Sequence, residues 1–241
     1  MNHNLLVGQS GGPTAVINGS LYGVVSEGLA NPEIDNVIGM VNGIEGFLAD
    51  HTIDMAPLKE NGELERIRTT PGSYLGSCRY KLPENLSDPV YPELFQKFTE
   101  KEISYFFYIG GNDSMDTVSK LSRYAATVGS DIRIIGVPKT IDNDINFVPQ
   151  SFGFETAVDT ATTALNCAHT EAIGACNGVG LVKLMGRESG FIAAQATLSL
   201  GIVNFVLVPE APFRLDGEGG LLPALEERLK RRKHAVIVTA E

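Results

Sequence analysis

The stretch ISYFFYIGGNDS, residues 103–114, decides the fold class. Its first part, 103–109, is continuously apolar and aromatic, and its length suits a buried strand. Gly110 and Gly111 end that strand, and Ser114 opens a helical pattern over 113–128. Strand, glycine turn and helix together form the repeating unit of an α/β protein. The same order recurs along the chain. Strands are expected at 4–8, 36–41, 132–137, 179–184, 204–208 and 234–239. Helices are expected at 14–30, 92–101, 153–171, 189–200 and 220–232. Residues 51–90, rich in Gly, Pro and charge, read as long loops. The alternation predicts an α/β architecture with mainly parallel sheets. Right-handed crossovers then bring the loops at the strand carboxyl ends to one sheet edge, where such folds bind ligands.

Composition narrows the function classes. Of 241 residues, 43% are hydrophobic and 20% charged, ordinary for a globular chain with a buried core. The net charge of −10 argues against non-specific nucleic-acid binding. No apolar run reaches the roughly 18 residues of a membrane span, and the start lacks the pattern of a signal peptide. The three cysteines are few and unpatterned, which favours free thiols and a cytoplasmic setting. An anionic substrate would need local cations. The candidates are Arg66, Arg68, Arg79, Lys81, Lys139, Lys183 and Arg187, or a bound metal.

Four loops leave strand ends with chemistry in them. GQSGGPT (8–14) offers glycines and a helix start, either an anion cradle or a tight turn capped by Ser10 or Thr14. GGNDS (110–114) repeats that arrangement. Asn112 and Asp113 there suit a phosphate or its Mg²⁺, or else Asp113 serves the helix start. PKTIDND (138–144) sets Lys139, Thr140, Asp142 and Asp144 within seven residues. Turns favour Asp and Asn. Two carboxylates beside a lysine after a buried strand are nevertheless an uncommon choice for a plain turn. A carboxylate so placed can take a proton from a hydroxyl. LMGRESG (184–190) presents Arg187, whose planar guanidinium suits phosphate, or else a surface arginine beside a cap. Two anion cradles, two acid groups and an arginine are the equipment of phosphoryl transfer.

These motifs resemble the phosphofructokinase family. GG (11–12), PGSYLGSCR (71–79), GGNDS (110–114), PKTIDND (138–144), MGRESG (185–190) and VPE (208–210) match its pattern in order. The resemblance implies two Rossmann-like three-layer domains with mainly parallel sheets and a site between them. The expected division is a donor-binding domain, 1–138, and a partial sugar-phosphate-binding domain, 139–241. It implies phosphoryl transfer to the 1-hydroxyl of fructose 6-phosphate in glycolysis, with Mg²⁺, by a homo-oligomer (dimer or tetramer). It implies no nucleic-acid or membrane partner. Because the sequence stops directly after a strand, the resemblance reads it as lacking the family's C-terminal part.

Carried over by position, Asp142 resembles the base and Thr140 lies beside the moving phosphoryl group. Lys139 and Arg187 complete the catalytic set. Gly12, Arg79, Gly111, Asp113 and Ser114 match donor contacts. Met185, Gly186, Arg187 and Glu241 match sugar-phosphate contacts, alongside Thr140 and Asp142. Asn112, Asp113 and Asp144 are the metal candidates. Donor specificity is assigned to Asp113 and Lys139. A carboxylate at 113 adds charge and bulk where the α-phosphate of ATP would lie, which favours pyrophosphate. The alternatives are an ATP-dependent enzyme of the same fold and a non-catalytic phosphate-binding subunit. Two positions depart from the family pattern. Asn112 stands where an acidic metal ligand is usual, and Gly178 stands where some relatives have an arginine.

Overall fold

The computed structural model describes residues 3–241. The chain divides into two compact units, the first running to Lys139 and the second starting at Thr140. The sequence expectation had placed the division one residue earlier. Lys139 falls with the first unit because its backbone N–H donates to the Gly110 carbonyl at 2.7 Å and its ammonium to the Gly12 carbonyl at 2.8 Å.

In chain order the first unit comprises β1 (Asn4–Gln9), α1 (Ile17–Ala30), β2 (Val37–Met40), α2 (Gly43–Leu48) and β3 (Thr52–Asp54). It continues with α3 (Ala56–Glu60), α4 (Glu63–Thr69), α5 (Val90–Glu100), β4 (Ile103–Gly110), α6 (Asn112–Val128) and β5 (Arg133–Pro138). The sheet order is β3-β2-β1-β4-β5, parallel except for the β2–β3 pair.

Every residue of β1 is buried, because helices cover both faces of the sheet. Alternate side chains serve opposite faces. Leu5 and Val7 join Ile17, Leu21 and Val25 of α1 with Leu64 and Ile67 of α4. Leu6 joins Phe106 of β4, Leu121 of α6, and Leu94 and Phe98 of α5. The order reverses between β1 and β4, so the loops leaving these two strands open at the point where such sheets bind ligands.

The second unit comprises α7 (Phe154–Gly174), β6 (Gly178–Lys183), α8 (Phe191–Leu200), β7 (Phe205–Leu207), α9 (Leu221–Arg232) and β8 (His234–Thr239). Its sheet is parallel in the order β6-β8-β7. Val158, Ala161 and Leu165 of α7 and Ile192, Ala193 and Ala196 of α8 pack on Val236 and Val238 of β8.

The region 51–90 departs from the expectation of long loops. It holds β3, α3 and α4, each too short to show a clear period in sequence. Leu64 and Ile67, three apart on α4, are both buried against α1 and β1. Helix α1 starts at Ile17 rather than 14, with the Thr14 hydroxyl accepting the Ile17 N–H at 3.1 Å. Among the described residues no helix is long and apolar enough to cross a membrane. All three cysteines are unpaired.

Candidate functional site

In the first unit the glycine loop after β1 is held against the turn after β4. Ser10 donates its N–H to the Ile109 carbonyl at 2.9 Å. A side chain at Gly110 would place Cβ 2.1 Å from Ser114 Oγ and 2.7 Å from the Ser10 carbonyl oxygen, so only glycine fits. Gly11 has φ +78° and donates its N–H to the Cys78 carbonyl at 3.2 Å. At Gly12 a Cβ would meet nothing within 4 Å, so the backbone there borders open space. Gly111 is the N-cap of α6, and no side chain caps that helix. The first N–H groups of α6 therefore face out beside the glycine loop, an arrangement that favours anions.

The side chains expected to bind the donor are placed differently from one another. Arg79 is exposed and, among the described residues, forms no ion pair. Ser114 is only 1% exposed, with its hydroxyl packed against Gly110. Asn112 and Asp113 are exposed in the first turn of α6. The Asp113 carboxylate is paired with the ammonium of Lys81 at 3.4 Å. This alters the expected basis of donor selection. With Lys81 beside it, part of the Asp113 charge is offset and its bulk remains.

In the second unit the loop after Lys139 folds back onto the ends of β6 and β8. Thr140 Oγ1 accepts the Asp142 N–H at 3.0 Å, and Ser189 Oγ donates to the Asp142 carbonyl at 3.1 Å. The Asp142 carboxylate has the Thr140 hydroxyl and the Arg187 backbone N–H as hydrogen-bond partners. Burial pushes its pKa above the ordinary value, and the Asp144 charge pushes the same way. The two hydrogen bonds pull it back down, and Glu241 adds a smaller upward push. Thr140, Asp142, Asp144, Arg187 and Glu241 are thus gathered by three segments. The last two follow neighbouring parallel strands whose ends are in register, Lys183 opposite Thr239.

The loop 184–190 is built on glycine. Gly186 has φ +127°, and a Cβ there would lie 2.3 Å from the Ser189 carbonyl oxygen. Met185 stands 61% exposed, and the Arg187 side chain is exposed beside it. Gly190 donates its N–H to Glu210 Oε1 at 2.8 Å.

Mg²⁺ takes oxygen ligands from one or two carboxylates, completing its shell with water and phosphate. The Asp144 carboxylate fits such an ion. Asp113 fits less well, since a metal there would compete with the Lys81 ammonium.

Three residues with a part in this geometry had no role assigned to them in the sequence reading of the site. Ser189 and Glu210 carry no chemistry of their own, and only their contacts show that they hold the 184–190 loop. Lys81 stood among the candidate cations without a role, and its partner Asp113 lies on a separate element.

The phosphofructokinase family profile matches residues 4–241. The chain is 39% identical over 213 residues to ATP-dependent 6-phosphofructokinase 4, chloroplastic, of Arabidopsis thaliana, covering 86% of this chain and 37% of that protein. It is 38% identical over 231 residues to the ATP-dependent 6-phosphofructokinase of Amycolatopsis methanolica, covering 96% and 48%. Among solved structures, the pyrophosphate-dependent phosphofructokinase of Nitrosospira multiformis superposes with a TM-score of 0.77 at 31% identity. That of Marinobacter aquaeolei superposes at 0.75 and 34%. Each alignment covers 99% of this chain and 60% of the solved one. The chain therefore spans about half or less of the curated relatives and 60% of these solved relatives.

Proposed function

The chain belongs to the phosphofructokinase family, and from that premise we propose that its protein transfers a phosphoryl group from pyrophosphate to the 1-hydroxyl of fructose 6-phosphate. The observation that carries the reaction is the setting of Asp142. Its carboxyl group is held by Thr140 and the Arg187 N–H, with a pKa raised by burial and by Asp144. A base whose pKa is raised toward the working pH keeps more driving force for accepting a proton. Asp142 takes the proton of the sugar hydroxyl as the hydroxyl attacks. Thr140 stands beside the moving group, while Lys139 and Arg79 offset charge on the phosphates. Met185, Gly186 and Arg187 line the sugar-phosphate side, and Glu241 hydrogen-bonds the sugar. Mg²⁺, held through Asp144 with donor oxygens, would neutralise charge on the transferred phosphate.

Donor choice rests on Asp113, whose bulk in the first turn of α6 favours the smaller pyrophosphate. A second reading has specific support. The curated relatives compared above are named ATP-dependent, so ATP is the alternative donor. A homo-oligomer is the expected assembly. The test is turnover of fructose 6-phosphate by the full-length protein with each donor. Turnover with pyrophosphate well above that with ATP supports the proposal. Strong use of ATP with none of pyrophosphate reverses the donor. Binding of sugar phosphate without turnover by either donor points to a non-catalytic subunit.

A further inference from the structure

Lys81 belongs to none of the catalytic or binding roles above, yet the fold fixes its position closely. Residues 78–82 alternate in burial. Cys78 and Leu82 are buried, Tyr80 is half-buried against the core, and Arg79 and Lys81 are exposed. A period of two marks an extended segment whose alternate side chains share one side, so Arg79 and Lys81 project outward together.

Both ends of this segment are anchored. At one end the Cys78 carbonyl accepts the Gly11 N–H at 3.2 Å and the Ser10 hydroxyl at 3.3 Å. At the other the Lys120 ammonium, on a side chain only 5% exposed, donates to the Leu82 carbonyl at 3.0 Å. The same ammonium pairs with Glu84 at 2.5 Å and Asp116 at 2.7 Å. One anchor is the glycine loop and the other is α6, the two elements that form the anion cradle. Between them the Lys81 ammonium reaches Asp113 in the first turn of α6.

An ion pair with side chains 69% and 60% exposed contributes little to stability. Stability is therefore a poor reason for this contact, whereas a polyphosphate would find the cation already in place. The chain carries a net charge of −10, so an incoming anion meets general repulsion that local cations must overcome.

We propose that Lys81 is a donor-binding residue. It binds the phosphates of an inorganic or nucleotide polyphosphate alongside Arg79, and Asp113 orients its ammonium. This rests on the reading that the first unit binds the phosphoryl donor. On arrival the ammonium, with three N–H donors, adds a phosphate oxygen while keeping the Asp113 carboxylate.

The test uses the full-length protein with Lys81→Met, which keeps the length of the stem, and Lys81→Arg, which keeps the charge. Calorimetry measures affinity for magnesium pyrophosphate, magnesium ATP and fructose 6-phosphate, and melting temperature is recorded for each variant. Lys81→Met is expected to weaken binding of the donor the wild type uses by about ten- to a hundredfold, the range for one charge-assisted hydrogen bond. Affinity for fructose 6-phosphate and the melting temperature stay unchanged, and Lys81→Arg restores most of the lost affinity. Donor affinity within twofold of wild type in Lys81→Met overturns the inference. So does a parallel loss of donor and sugar affinity with a lowered melting temperature, which would mark a structural role. A wild type that binds only ATP overturns the pyrophosphate reading, and Lys81 is then judged by the same ratio measured with ATP. A wild type that binds neither polyphosphate overturns the donor-site reading and this inference together.

Discussion

The ammonium of Lys139 donates a hydrogen bond to the carbonyl oxygen of Gly12 at 2.8 Å, tying the end of β5 to the glycine loop after β1. The cation thereby borders the open space above Gly12. Lys139→Met is expected to lower kcat by about 10²–10³-fold, the scale for losing one preorganised charge-stabilising donor. Steady-state kinetics with saturating donor checks this. A change confined to donor KM would reassign Lys139 to ground-state binding.

Asp142 sets function against stability. Its folded pKa is raised, chiefly by burial. A raised carboxyl pKa favours the fold most at pH below the unfolded value, and that contribution is lost as pH rises through the folded value. At neutral pH the ionised group is thus a net cost to the fold. Asp142→Asn is expected to lose about 10²–10⁴-fold in kcat while its melting temperature at pH 7 holds or rises. A marked drop in melting temperature would contradict the assigned cause of the shift.

The same shift predicts the pH profile. In the proposed mechanism activity needs ionised Asp142, so the acid limb of log kcat/KM against pH should fall above the range of an ordinary carboxylate. Replacing the neighbouring charge, Asp144→Asn, should move that limb toward lower pH, because the carboxylate that raises the Asp142 pKa is removed. A limb that moves upward or not at all would contradict this coupling.

With Lys81 beside Asp113, the proposed selection against a nucleotide donor rests on the bulk of the side chain. Asp113→Gly is expected to raise the ratio of kcat/KM for ATP to that for pyrophosphate by about tenfold or more, the scale of one relieved clash. Asp113→Asn, nearly the same size, should leave the ratio within a fewfold of wild type. A large gain from Asn would return the selection to charge.

Gly186 carries the backbone geometry that turns the chain after β6. Gly186→Ala would force Cβ to 2.3 Å from the Ser189 carbonyl oxygen at φ +127°. The expected cost is about 2–3 kcal/mol, together with weaker binding of the sugar phosphate. Denaturant titration and sugar KM would show both, and an unchanged midpoint would contradict the geometry.

Much of this molecule was legible in the order of its residues. Apolar runs of strand length followed by glycine and a helical pattern specified an α/β fold with mainly parallel sheets, since strand and helix periods are local properties. Asp142 stood out because two carboxylates beside a lysine after a buried strand are uncommon in a plain turn, and Arg187 because a planar guanidinium suits phosphate. Short elements were less legible: β3 and α3 have too few residues to display a period, and they persist because β2 and the core of the first unit hold them.

Tertiary structure alone decided which of these groups meet. The pKa of Asp142 is raised by burial, Asp144 and Glu241 against the pull of hydrogen bonds from Thr140 and the Arg187 N–H, and Arg187 and Glu241 follow strands that lie side by side only in the folded sheet. The pairing of Lys81 with Asp113 depends on Cys78 and Lys120 holding one segment between two elements. Local sequence sets the propensity of each segment. Long-range register, desolvation and charge proximity arise from packing, and they determine whether a lysine or an aspartate has a partner.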